Sequence, residues 1–127
     1  MFAFAHLWLA MVHLDSGDAP AAAAEVRAAM PHVRRTVGVR HFALPLSHLA
    51  ALQGRAKDAA QLLGVDDLAR ERRGEPRMPF ERRREQAVQK LLSRHASEAD
   101  LGAWRLIGRG LDDDATQALA DAAATAS

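Results

Sequence analysis

An all-α fold is predicted for this chain: antiparallel helix pairs stacked side by side as a short α-solenoid and closed by three C-terminal helices. Aromatic residues make up only 5% of the sequence and tyrosine is absent, while alanine is abundant. That composition suits helices pressed close together better than strands with aromatic and β-branched faces. Apolar residues at 49% and charged residues at 26% are globular values, so the 127 residues can bury one core. A helix, glycine, helix pattern also recurs at an interval of 37 residues.

The two copies run Leu9, His13, Gly17, Ala22, Val26 and Leu46, Ala50, Gly54, Ala59, Leu63. Gly17 and Gly54 suit the positive φ that ends a helix, and the Asp18 carboxylate can cap the helix that follows. Ala22 and Ala59 are small where two helices must approach closely. Leu9, Val26, Leu46 and Leu63 are expected to fill the spaces between neighbouring pairs. The spacing predicts helices near 3–16, 19–30, 42–53 and 56–72. Pro31 should end or kink the second, and Pro45 requires the third to begin nearby. Residues 1–73 thus form two helix pairs.

Residues 74–79, Gly74-Glu75-Pro76-Arg77-Met78-Pro79, form a turn. Residues 80–124 supply the three closing helices, and 125–127 a frayed tail. In the first closing helix Phe80, Ala87, Val88, Leu91 and Leu92 recur at helical spacing. Ser97-x-x-Asp100 opens the second, which carries Leu101, Trp104 and Ile107. Asp112-Asp113-Asp114 starts the third, where acids favour the helix N-terminus.

The repeated spacing resembles the tetratricopeptide repeat, with His13 and Ala50 where tyrosine is usual and His6 and Ala43 where tryptophan is usual. A second resemblance covers about residues 46–122. It is carried by Ala59-Ala60-Gln61-Leu62-Leu63-Gly64, Leu68-Ala69-Arg70-Glu71-Arg72-Arg73-Gly74, Met78-Pro79, Glu81-Arg82, Ala103-Trp104 and Gly108-Arg109-Gly110-Leu111. These look like the C-terminal helical region of bacterial regulators that join an ATPase module to tetratricopeptide-like repeats. Such regulators carry a LuxR-type or winged-helix DNA-binding domain, a nucleotide cyclase or a protein kinase as output. The resemblance implies a scaffold or sensor role and no catalytic residue. It also implies that this chain is the C-terminal part of a larger signalling protein, whose first helix presents an uncovered apolar face.

Charge and composition narrow the function further. A net charge of +1 gives little reason to expect a polyanionic partner. The absence of cysteine excludes disulfides, a thiol nucleophile and thiolate metal sites. Residues 1–14 are apolar enough to suggest a signal peptide, but no Lys or Arg precedes Arg27, and His6, His13 and Asp15 interrupt the run. A cytoplasmic location without a membrane anchor is therefore expected.

No nucleophile and base arrangement emerges from the spacing, so no catalytic site and no cofactor are expected. His6 with His13, and His41 with His48, share helical faces, but seven residues span roughly 10 Å of rise and no HExxH pattern occurs. No metal site is expected, and packing or surface roles are the default. The arginines from Arg70 to Arg84 could contact phosphates or an acidic protein surface, and the former defines the alternative of a helical nucleic-acid-associated domain. Glu71, Glu75, Glu81 and Glu85 interleave them, however, and a solvated face of ion pairs is favoured. Arg84 is expected to lay its stem over Val88 with its head in water. The leading expectation is a non-catalytic protein-interaction module. Its candidate partner contacts are Trp8, Arg82 and Arg83, with self-association through the N-terminal helix as one mode.

Overall fold

The structure, a computed structural model, describes residues 2–35 and 38–126, and among these every regular element is helical. Two helical hairpins come first. α1 (Phe2–Asp15) packs along α2 (Ala19–Arg35), and α3 (Ala43–Leu52) along α4 (Ala56–Arg73). Each hairpin turns at a glycine in the left-handed region, Gly17 with φ 79° and Gly54 with φ 77°. A Cβ is costly in that conformation, which explains glycine at both places. Asp18 accepts the Ala21 N–H at 3.1 Å and caps α2. Arg55 holds the equivalent place before α4 and pairs instead with Asp58 in the first turn, at 2.6 Å.

Ala22 and Ala59 are fully buried. The Ser47 hydroxyl donates to the Ala59 carbonyl at 2.7 Å, tying α3 to α4 beside one of these small residues. Val26, Leu46, Ala50 and Leu63 are also in the core, and His13 is half-buried. Leu9 departs from the expectation: it is 45% exposed, whereas Leu46, its counterpart in the repeat, is 1% exposed. The difference comes from neighbours. α3 is flanked by α1 on one side and α5 on the other, while α1 buries Leu7, Ala10 and Leu14 and leaves Phe4, Trp8, Leu9 and Val12 exposed.

Pro31 neither ends α2 nor stops it at Met30, since the helix continues to Arg35. Met30 and Val33 are buried on either side of an exposed Pro31, so tertiary packing of the last turn offsets the missing hydrogen bond. A 3-10 turn (Val39–Phe42) leads into α3 and places Pro45 in its first turn. Phe42 meets Phe4 of α1 with ring centroids 6.4 Å apart.

The closing helices are α5 (Pro79–Leu92), α6 (Glu98–Arg109) and α7 (Asp113–Thr125). Pro79 stands at the first helical position, where its lack of an N–H matters least. Ser97 caps α6 by accepting the Asp100 N–H, and Asp112 caps α7 by accepting the Ala115 N–H. α5 lies against α3 and α6 against α4. Trp104, Leu101 and Leu91 are partly buried against the core, but Ile107 is 50% exposed and leaves the apolar stripe expected of it. α7 crosses back onto α2, α3 and α4. It extends to Thr125, one residue into the stretch expected to fray, and the Ala126 N–H still bonds to the Ala122 carbonyl; Ser127 lies outside the described residues.

A buried ionic network joins α4, α5 and α6. Asp66 is 1% exposed and accepts from Arg70 and Arg77, each at 2.8 Å. Arg70 also reaches Glu81. Arg105 of α6 bonds Asp67 and Glu85, each at 2.6 Å.

Candidate partner-binding groove

The arginine-rich stretch dissolves into separate environments once folded. Arg70 and Arg77 belong to the buried network, and Arg73 pairs with Glu75. Arg72, Arg82 and Arg83 make no ion pair among the described residues. The carboxylates of Asp66, Asp67, Glu81 and Glu85 therefore neutralise much of the charge that could have attracted phosphates.

Arg82 and Arg83 part company. Arg82 lines an open crevice of about 830 Å³ above the ionic network, and its Nε donates to the Arg77 carbonyl at 3.2 Å. Arg83 instead faces a groove of about 350 Å³ between α1 and α5, and Trp8 lines the same groove. Two of the three partner-contact candidates, 75 residues apart in sequence, thus meet in one place.

The groove has two walls and a floor. One wall is Trp8, Met11, Val12 and Asp15 of α1; the other is Phe80, Arg83, Arg84 and Ala87 of α5. Both walls follow an i, i+3, i+4, i+7 stripe, the spacing that presents one face of a helix. His48 of α3 lies between them. Trp8 is 69% exposed, Val12 54% and Phe80 56%, so the apolar lining faces open space. Phe80, expected in the core stripe of α5, belongs to this wall instead.

Polar contacts at the floor are sparse. Arg84 does not hold its head in water as expected: its side chain is 9% exposed, and Nη1 reaches His48 Nδ1 at 2.9 Å and Asp15 Oδ1 at 3.0 Å. Burial, and then the adjacent Arg84 charge, lower the pKa of His48 to about 4, against a smaller opposing effect of Asp15. The imidazole is therefore neutral at pH 7, and among the described residues the groove carries the cations Arg83 and Arg84 against the single carboxylate of Asp15.

Nothing in the local sequence marks Asp15, His48 and Arg84 as neighbours. The two matching stripes, 8-11-12-15 and 80-83-84-87, were visible in the sequence. Their juxtaposition was not, because it depends on α5 lying beside α3. Elsewhere His6 bonds Glu25 at 2.6 Å and His41 is exposed, and no group of His, Asp or Glu suited to a metal occurs among the described residues. No described helix is long and apolar enough to cross a membrane. Comparison with protein-family models, curated proteins and solved structures finds no match to this chain.

Proposed function

We propose that this chain is a non-catalytic protein-interaction module built from tetratricopeptide-like helix pairs, which receives a segment of a partner protein in the groove between α1, α3 and α5. The observation that carries this reading is the meeting of exposed Trp8, Val12 and Phe80 with Arg83 in one concave site. Large exposed apolar side chains gathered in a concavity mark interaction surfaces, and tryptophan and arginine are the residues most enriched at their energetic centres. Two features support the repeat architecture: glycine turns and buried alanines recur at one interval, and α1, α3 and α5 all contribute to the same groove.

The resemblance of residues 46–122 to ATPase-linked bacterial regulators supports placing the module in such a regulator, as a scaffold or sensor element. The nucleic-acid reading is weaker, because the buried carboxylates engage Arg70 and Arg77. The test is site-directed photo-crosslinking in the host cell, with a benzophenone side chain at Phe80 or at Leu106, which is 69% exposed on α6. A discrete adduct from Phe80 and none from Leu106 is expected. Equal adducts from both, or adducts from Leu106 alone, would overturn the proposal.

A further inference from the structure

The Arg84 side chain is only 9% exposed, yet the nitrogens it does not commit to His48 and Asp15 are not sealed in the core and still face the groove. Its Nη1 serves both His48 and Asp15, while Nε and Nη2 have no acceptor among the described residues. A guanidinium offers five N–H donors in a rigid fork suited to a carboxylate. The carboxylate now beside it belongs to Asp15, whose side chain is 67% exposed at the end of α1. Such a pair is weakly held, since an exposed partner must be immobilised against solvent. At the rim Arg83 has no hydrogen bond or ion pair among the described residues. Trp8 and Phe80 flank these cations with open apolar surface.

We infer that the groove selects partner segments in which an Asp or Glu side chain stands beside a large apolar side chain. The carboxylate would engage the free edge of Arg84, with Arg83 at the rim, and the apolar group would lie between Trp8 and Phe80. Charge complementarity identifies the occupant: among the described lining residues two cations face the groove against one carboxylate, that of the largely exposed Asp15. A side-chain acid is the fitting group because Arg84 already holds one in Asp15. This inference rests on the groove being the partner site and adds the chemistry of what enters it.

The test is selection of random dodecapeptides, displayed with their C-termini fused so that no free terminal carboxylate is offered, on the immobilised full chain. Enrichment of Asp or Glu next to Trp, Phe, Leu or Ile is expected. Binding of an enriched peptide, followed through the Trp8 fluorescence, should weaken about tenfold in Arg84→Gln and severalfold in Arg83→Gln, an exposed change that leaves the core untouched. Replacing the peptide's Glu by Gln should weaken binding similarly. Asp15→Asn should tighten it severalfold by removing the internal competitor, an effect that general loosening of the fold would not produce. Enriched apolar peptides without acids would overturn the inference while leaving the groove as an interaction site, as would acidic peptides indifferent to both Arg83→Gln and Asp15→Asn. No enrichment at all would overturn both readings.

Discussion

Arg84 Nη1 lies 2.9 Å from His48 Nδ1, and this contact dictates which form of the imidazole the fold accepts. A guanidinium only donates, so Nδ1 must be the acceptor and the ring proton of neutral His48 resides on Nε2. Protonating Nδ1 would set two cations against each other in a buried position.

Acid sensitivity follows from that contact. His48 has a folded pKa of about 4 against an ordinary 6.5. Above 6.5 neither state is protonated and its contribution is complete. As the pH falls from 6.5 towards 4 the unfolded chain binds a proton that the folded chain refuses, so stability declines by about 1.4 kcal/mol per pH unit. His48→Gln retains an acceptor for Arg84 and does not titrate. Urea titrations at several pH values should show the decline from 6.5 to 4 reduced in this variant relative to the parent.

The crossing of α4 and α6 depends on two glycines. A Cβ at Gly64 would stand 1.9 Å from the Arg105 carbonyl oxygen, and one at Gly108 would stand 1.9 Å from that of Gln61. Either Gly→Ala change should destabilise by about 2–3 kcal/mol, outweighing the gain in helix propensity. Gly102, on α6, has open space around its Cβ position. Gly102→Ala should therefore stabilise by about 0.5–1 kcal/mol. Thermal unfolding of the three variants checks the opposite signs.

Asp66→Ala should cost about 3–5 kcal/mol, because it strips the shared acceptor from the largely buried guanidinium groups of Arg70 and Arg77. Arg72→Ala, at an exposed residue with no ion pair among the described residues, should change stability by less than about 0.5 kcal/mol. The same network adds a second acid stage. Burial acts to raise the pKa of Asp67 and Glu81, but hydrogen bonds from Arg105 and Arg77 to Asp67, and from Arg70 to Glu81, outweigh it and hold both below the usual carboxylate range. Their contribution is present above the unfolded value and disappears as the pH falls through the folded ones. Unfolding should accordingly steepen below about pH 4 even in His48→Gln.

α7 is held at its C-terminal end by side chains from other elements. Arg27 donates to the Ala124 carbonyl at 2.6 Å, Gln53 to that of Ala123 at 2.7 Å and Arg55 to that of Ala122 at 2.8 Å. The Ala123 and Ala124 carbonyls would otherwise lack partners at the helix end, while that of Ala122 also accepts the Ala126 N–H. The buried contacts of α7 are small, Thr116, Ala120, Ala123 and Ala124. The double change Arg27→Ala and Arg55→Ala should raise amide hydrogen exchange across residues 120–126 severalfold while leaving α3 protected.

Local signals in the sequence foretell much of the helical framework. Gly17, Gly54, Asp18, Ser97 and Asp112 each act on their own neighbours, so their roles can be read from short windows. Relationships across elements are less legible. Leu9 follows the same spacing as Leu46, yet only Leu46 has helices on both sides. Phe80 and Ile107 fall at apolar-stripe spacing yet are exposed, while Val88, Leu92, Leu101 and Trp104 of the same stripes turn inward. Pro31 is a strong local stop that distant packing overrides. Gly64 and Gly108 had no local signal for close contact, since that requires knowing that α6 crosses α4. Within the groove Trp8 and Arg83 stood out singly, whereas Arg84 gained its significance only from His48, 36 residues earlier.

Partner engagement between α1 and α5 is reported directly by the two indole N–H signals of Trp8 and Trp104. Trp8 lines the groove, while Trp104 packs against the core from α6. In a ¹H–¹⁵N spectrum titrated to saturation with a cross-linked partner or its binding segment, the Trp8 signal should shift or broaden and the Trp104 signal should stay in place. Saturation that moves Trp104 and leaves Trp8 unchanged would contradict the assignment of the groove.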